Sequence, residues 1–590
     1  MKDNPQWRIA MAVAAIVSGL SLLSLRLVQL QVVDHLHYLE KAKQNHTFRR
    51  TLPARRGDIV DCAGNLLATT VPLKRVMADL NKMRQILERN RKQVLRDGRE
   101  RMTEPSQVAH VLAPLLGVPE PELAGQLASR RDLVTLRAEL DIVTWRGIAD
   151  LRLPGIESVD SFKRVYPTER LGSQVVGYVD ADGVGRGGVE STMQEYLRGV
   201  DGWYQSQKDA LLRELRMYRS QDAPAKHGYT VALTLDETVQ QIVEEELDTA
   251  VLANQAKGAC AVVMRPSTGE ILAMANRPTF NPNEMASVQW DNVRNRCVQD
   301  SYEPGSTFKI VALSAAIETS RVNLNTPVFC ENGRFQYGGF TLSDTGSYGT
   351  LTVQEAFQKS SNIAFAKLGL QLGARDLYRY ARAFGFGDEI VGGMLPAEAS
   401  GKLDPPEKWP AVAQTRVPIG YGVSVTPLQM ASAFCAIANR GVWMRPLLIK
   451  EVRNSRGQTV ARFAPKSVRQ VVRGETADTV LEALEAVVSE HGTGKKAVVP
   501  GFTVAGKTGT SKKIDPATKA YSDKRYYSSF IGMLPAREAA FVIVVVIDEP
   551  QGDVYYGGLV AGPVFAAMAT RIAQHLDLEP VYPRAEVVKR

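Results

Sequence analysis

A chain of 590 residues is too long for one hydrophobic core, so two or three domains are expected beyond any membrane segment. Its 72 Lys and Arg against 63 Asp and Glu give +9, a mild basic bias that suits an anionic membrane or wall polymer. Most of the excess precedes residue 230, and no zinc-knuckle or helix-turn-helix signature accompanies it, which argues against nucleic-acid binding.

Near the N-terminus, residues 9–25 carry no charge and the apolar character resumes after Arg26 through Val33, so 9–33 is long enough to span a bilayer. No small-x-small cleavage site follows Leu25, which favours a retained anchor over a cleaved signal. Trp7 and Arg8 sit where a cytoplasmic flank would. Six basic residues between Lys41 and Arg56 oppose a simple positive-inside count, but large folded domains translocate with weak regard to such charges. Residues 1–8 therefore read as a cytosolic stub, with the bulk of the chain outside the inner leaflet.

Residues 34–228 form a second region of short strand-like runs, turn residues and a polar stretch at 82–101 that reads as a solvated helix. Arg56-Gly57-Asp58-Ile59-Val60-Asp61 before Gly64-Asn65, and Gly185-Arg186-Gly187-Gly188-Val189-Glu190, suggest tight backbone geometry. Neither has the strand, glycine turn and helix of a phosphate loop.

Composition shifts again near Gly228. Residues 231–235 alternate like a strand, Asp236-Glu237-Thr238 opens a helix over 239–252, and 259–264 and 270–275 form a hairpin around the turn at 265–269. Pro304-Gly305 then breaks the chain before Ser306-Thr307-Phe308-Lys309, and the apolar run behind it predicts a buried helix whose first turn carries Ser306 and Lys309 on one face. That places a nucleophile beside a possible base at the amide-rich end of a helix. It is the only Ser-x-x-Lys in the chain, yet four common residues also fit a solvated Ser beside a surface Lys. Ser360-Ser361-Asn362 falls between helical runs at 352–358 and 363–370, and Lys507-Thr508-Gly509-Thr510 follows the strand-like 502–505. Strands at 527–533 and 541–547 and a helix at 560–575 close the chain. Strands at both ends with helices between them predict an α+β fold: one antiparallel sheet completed by distant segments, flanked by helices, with a helical subdomain inserted.

Of the five cysteines, Cys62, Cys260, Cys297, Cys330 and Cys435, most read as small buried hydrophobes, with Cys297 near the site but not serving it. Their odd number and wide spacing argue against a disulfide framework and a metal site. None of the seven histidines adjoins Ser306, and only His491 lies among later motif-like residues. A Ser-His-Asp triad stays open on spacing alone, but Lys309 is the more economical base.

Three weak motifs in this order, on helix start, interhelical loop and strand, together resemble a class B penicillin-binding protein, of the septal, division-associated transpeptidase type. The resemblance runs through nearly the whole chain: Arg56-Gly57-Asp58-Ile59 with Asp61 and Gly64, Gly188-Val189-Glu190, Gly420-Tyr421-Gly422, Thr426-Pro427-Leu428-Gln429, and Tyr555-Tyr556-Gly557-Gly558 before Ala561-Gly562-Pro563-Val564-Phe565. Cys62 departs from the pattern, standing where the family usually carries Arg. The resemblance implies a cytoplasmic stub (1–8), a transmembrane anchor (9–33), an elongated pedestal of dimerisation type (34–228), a transpeptidase domain (229–577) and a C-terminal tail (578–590). It implies that Ser306 attacks the carbonyl between the terminal D-alanines of a peptidoglycan stem peptide and that an amine of a neighbouring stem resolves the acyl-enzyme. Lys309 would take the Ser306 proton, Ser360 would relay a proton to the leaving amine, and Asn362 would hold Lys309 and the substrate amide. Lys507, Thr508 and Thr510 would bind the terminal carboxylate, Gly509 would permit close approach, and the backbone N–H groups of Ser306 and Thr510 would form the oxyanion hole. β-Lactams would acylate the same serine. A polytopic SEDS-type glycosyltransferase and other division proteins are the implied partners, and no metal or organic cofactor is implied.

Three other readings compete. A β-lactamase needs a carboxylate-activated water, and no Glu-x-x-Leu-Asn follows Asn362. A sensor or scaffold without catalysis fits poorly with the intact motifs. An elongation-associated role is the alternative within the family; the size of the pedestal and the absence of C-terminal repeats lean septal.

Overall fold

The computed structural model describes residues 5–208, 214, 215, 217, 219, 221–515 and 517–580; residues 1–4 of the expected stub and 581–590 of the expected tail lie outside them. The chain forms two compact units. One comprises Met1–Arg55, Val71–Lys163 and Gly199–His227, the other Arg56–Thr70, Arg164–Arg198 and Gly228–Arg590.

In the first unit, α1 (Pro5–Val28) continues as a π-helical turn over Gln29–Val33. Gln6–Val33 has a mean hydropathy of 2.0 and buries none of its side chains, so it is long and apolar enough to cross a membrane, and lipid is the environment that would cover it. Helix α2 (Leu80–Asp97) begins where Asp79 accepts the Lys82 N–H and stops at Gly98, whose φ of 65° suits glycine. The solvated helix expected at 82–101 thus ends four residues earlier and has a buried stripe. Leu80, Met83 and Leu87, at helical spacing, pack with residues of Pro105–Leu116 and Glu120–Leu127, a pattern that the surrounding Arg and Glu mask in the sequence.

The second unit is built on a five-stranded antiparallel sheet. Its strands are β1 (Gly258–Met264), β2 (Ile271–Arg277), β3 (Ala505–Ile514), β4 (Tyr521–Leu534) and β5 (Phe541–Asp548), in the order β2-β1-β5-β4-β3. The chain leaves the sheet after β2 and returns more than two hundred residues later, as expected for a sheet completed from afar. Strand alternation divides the core. Ala259, Ala261 and Val263 face a layer containing α3 (Glu237–Ala253) and the closing helix, whereas Cys260, Val262 and Met264 face the inserted helices. Asp236 caps α3 by accepting the Val239 N–H, as its position before the apolar run predicts. The stretch 502–505 is strand only from its last residue: Phe502 sits in a bend, and the Lys507 motif lies inside β3 rather than after a strand.

The two stretches flagged for tight geometry belong to this unit and pack by backbone. A Cβ on Gly57 would stand 1.9 Å from the Tyr229 carbonyl oxygen, and one on Gly185 would stand 1.8 Å from that of Glu190. The Glu190 carboxylate is fully buried and accepts from Arg56 Nε at 2.7 Å and from Arg164 Nε at 2.6 Å, so the charge taken out of water is paired twice. Cys62 is exposed; the other four cysteines are buried as expected, and Cys297 lies against the carbonyls of Ala261 and Ala275.

Candidate active site

Pro304 leads into a 3₁₀ turn at Gly305–Phe308, which runs directly into α4 (Lys309–Glu318). A 3₁₀ turn nearly eclipses residues three apart, which brings Ser306 Oγ within 3.1 Å of Lys309 Nζ. Gly305 has φ 57°, and a Cβ there would meet the Thr510 carbonyl at 3.0 Å. On another side lies Gly420, φ 79°, where a Cβ would fall 2.1 Å from the Gly305 carbonyl oxygen. The turn that carries Ser306 is therefore held by main chain.

The second motif follows α5 (Val353–Gln358), which Thr352 and Glu355 start with a capping box. Ser360 takes φ 59°, and Ser361 then caps α6 (Asn362–Leu372) by accepting the Ala364 N–H. This left-handed residue points Ser360 back at Lys309: its carbonyl lies 2.6 Å and its Oγ 3.1 Å from Nζ, with Asn362 Oδ1 at 3.0 Å. Asn362 Nδ2 donates to the Ser343 carbonyl at 3.2 Å, which fixes the amide so that its oxygen faces the lysine. Asp344 lay outside the sequence reading, yet its carboxylate accepts from Ser361 Oγ at 2.6 Å and from the N–H groups of Asn362 and Ile363. A lone Asp after a short strand gives no periodic signal; only the fold brings it under the loop.

From β3, Lys507 reaches Ser360 Oγ at 3.0 Å, so Ser360 stands between two lysines. A Cβ on Gly509 would sit 2.9 Å from Thr307 Cγ2 and 2.4 Å from Ser529 Oγ, so glycine lets β3 lie against the nucleophile turn. Thr510 Oγ1 accepts the Gly557 N–H at 2.9 Å at the start of α7 (Gly557–His575), and Thr508 Oγ1 lies 2.9 Å from Thr493 Oγ1. All eight residues expected at the site are thus brought together by four elements, the 3₁₀ turn, α4, α6 and β3, and one loop. Of the histidines, His491 is exposed, with no contact to Ser306 or Lys309 among the described hydrogen bonds.

Lys309 and Lys507 are both fully buried. Burial first, and then the Lys507 charge, hold Lys309 well below the usual lysine range, against an opposing pull from Asp344. Burial pushes Lys507 down to about 7. Beyond the expected residues, Glu303 accepts the Gly422 N–H at 2.8 Å and the Tyr521 hydroxyl at 3.1 Å, linking the Ser306 turn, the Gly420–Gly422 loop and the start of β4. Burial raises its carboxyl above the usual range. Tyr526, Tyr555 and Tyr556 stack in series with centroids 4.1 and 4.7 Å apart.

Comparison with known proteins places this geometry. Residues 259–570 match the penicillin binding protein transpeptidase domain, and residues 51–233 match the penicillin-binding protein dimerisation domain. The chain is 30% identical to the peptidoglycan D,D-transpeptidase FtsI of Escherichia coli K12, over 97% of this chain and 92% of that protein. It is 36% identical to the stage V sporulation protein D of Bacillus subtilis, over 76% and 71%. Among solved structures it resembles penicillin binding protein 3 of Mycobacterium tuberculosis complexed with aztreonam, with a TM-score of 0.68 and 29% identity covering 91% of this chain and 99% of that one. Two domain matches that together take in most of the sequence, and relatives at least 30% identical over most of the chain, make this chain a member of the class B penicillin-binding proteins.

Proposed function

We propose that Ser306 is the nucleophile of a peptidoglycan D,D-transpeptidase working in septal wall synthesis and that Lys309 is its base. The observation that carries this reading is the placement of Lys309 Nζ 3.1 Å from Ser306 Oγ among fixed acceptors. Two of its four neighbours, the Ser360 carbonyl and Asn362 Oδ1, can only accept. A neutral amine has two protons, which those acceptors take, leaving its lone pair to the Ser306 hydroxyl at 3.1 Å. The depressed basicity of Lys309 supports the neutral form.

In the first half-reaction the Ser306 oxygen bonds to the carbonyl carbon of the penultimate D-alanine while its proton passes to Lys309. The C–N bond then breaks, and the leaving amine takes a proton through Ser360, which touches both lysines. Backbone N–H groups of Ser306 and Thr510 would hold the oxyanion, and losing one such donor costs about 10²-fold or more. Lys507, Thr508 and Thr510 would bind the terminal carboxylate. In the second half-reaction an amine of a neighbouring stem peptide attacks the acyl-enzyme, the C–O bond to Ser306 breaks as the new C–N bond forms, and the proton that the amine gives up goes to the serine oxygen. A β-lactam enters the same first step and stays bound.

The apolar helix suggests a single-pass anchor. We place the larger unit on the outer side of the cytoplasmic membrane, where its substrate lies, with residues 1–8 as the stub, 9–33 as the anchor, 34–228 and 229–577 as pedestal and transpeptidase domains, and 578–590 as the tail. The reading extends to a SEDS-type glycosyltransferase and other division proteins as partners. Labelling with a fluorescent penicillin tests the chemistry: wild type should form a stable adduct that Ser306→Ala lacks. Rapid turnover of the drug would point to a β-lactamase instead, and absent labelling to a scaffold. Depletion in cells separates the roles, since filaments indicate septal work and rounded cells indicate elongation.

A further inference from the structure

Each hydroxyl carries one proton, so a carboxylate, which only accepts, constrains every hydroxyl that binds it. Thr510 meets that demand, because its other partner is the Gly557 N–H, a donor at 2.9 Å, and its own proton is left for a ligand. Thr508 differs: its partner within the protein is another hydroxyl, Thr493 Oγ1 at 2.9 Å, and either oxygen can donate. With a carboxylate bound, Thr508 must turn its proton outward, and Thr493 must then supply the proton between them. Thr493 is placed for this by backbone. The Gly494 N–H donates to the Val487 carbonyl at 2.9 Å, closing the turn that follows the helix Gly474–Val488. On its other side the start of α7 abuts the turn, where a Cβ on Gly558 would stand 2.1 Å from the Thr493 carbonyl oxygen and 3.1 Å from Thr508 Cγ2. Thr493 itself is exposed while Thr508 is buried.

We propose that Thr493 is a positioning residue for the substrate's terminal carboxylate: its hydroxyl donates to Thr508 and commits the Thr508 proton to the ligand. This rests on the reading of Thr508 and Thr510 as the carboxylate clamp, and the experiment separates the two. The second-order acylation rate and its division into binding and chemical steps are measured for benzylpenicillin and for its methyl ester, whose neutral ester group makes no charge-assisted bond. The full chain is used as wild type, Thr493→Val, Thr493→Ala, Thr493→Ser, Thr508→Val and the Thr493→Val, Thr508→Val double variant.

Thr508→Val should lower the rate with the acid by roughly 10-fold or more, the scale of one hydrogen bond to a charged group. Thr493→Val and Thr493→Ala should each lower it by roughly 3- to 10-fold, in the binding step alone, as expected for a neutral bond acting one residue back. The ester should be indifferent to both changes, Thr493→Ser should restore the acid rate, and the double variant should match Thr508→Val. Equal losses on acid and ester, or losses that multiply fully in the double variant, would overturn the proposal and leave the clamp standing. If Thr508→Val itself treats acid and ester alike, the clamp reading falls and the role of Thr493 falls with it.

Discussion

Four oxygens surround the Lys309 amine, and its placement gives pH a sign that can be measured. On the proposed reading acylation needs Lys309 neutral, the form that its depressed proton affinity favours. Lys507, by contrast, would serve the carboxylate while charged, and burial pushes it down to about 7. The second-order rate constant for β-lactam acylation should therefore trace a bell, rising as Lys309 deprotonates and falling as Lys507 does; a profile that climbs steadily past pH 9 would contradict it. Lys309→Arg keeps a cation that cannot give up its proton, so acylation should drop by about 10³-fold in stopped-flow labelling. The same burial costs stability. In the folded state Lys507 deprotonates at about 7 and in the unfolded chain near ~10.4, so the unfolded state binds more protons across that interval. The penalty is complete below the folded value and fades as pH rises toward the unfolded one. Lys507→Met should accordingly be the more stable protein at pH 7, by about 1–3 kcal/mol in denaturant melts, and lose that advantage as pH approaches 10.

Among the elements, the nucleophile turn and its neighbours show what sequence can and cannot reveal. Ser306 and Lys309 were legible because three-residue spacing on a helix start is a local rule, and the cap at Asp236 was legible for the same reason. Asp344 and Thr493 were not, since each meets the site only when chain segments far apart in sequence close on one another. The start of β3 was misjudged because Phe502-Thr503-Val504 has strand-like composition while the chain there bends before pairing begins. The glycines carry a prediction of their own. Gly420 has φ 79° and lies against the Gly305 main chain, so Gly420→Ala meets both backbone strain and a contact that cannot open without moving the nucleophile. It should cost about 2–4 kcal/mol of stability and slow acylation at least tenfold, whereas Gly422→Ala, with open space at its Cβ, should pay only the strain of its φ of 75°. Equal melting temperatures for Gly420→Ala and wild type would rule this out.

At the scale of the molecule, every residue assigned to the chemistry belongs to the second compact unit, while the apolar helix belongs to the first. Removing residues 1–34 should give a protein that remains in the supernatant without detergent and takes up fluorescent penicillin within about twofold of the full chain. Aggregation of that protein with labelling lost would show that the helix serves the fold as well as the membrane. The main-chain packing around Ser306 has a further consequence for how such an enzyme adapts to a drug. Atoms of Gly305, Gly420 and the Thr510 carbonyl hold Ser306, so if substrate and β-lactam both react there, as proposed, selection has few side chains that it can vary to reject one and keep the other. Discrimination has more room among exposed side chains such as Val554, Tyr556 and Leu559, which are not part of that backbone packing. Variants that tolerate β-lactams should therefore gather among such exposed side chains, and the backbone cradle of the serine should stay as it is.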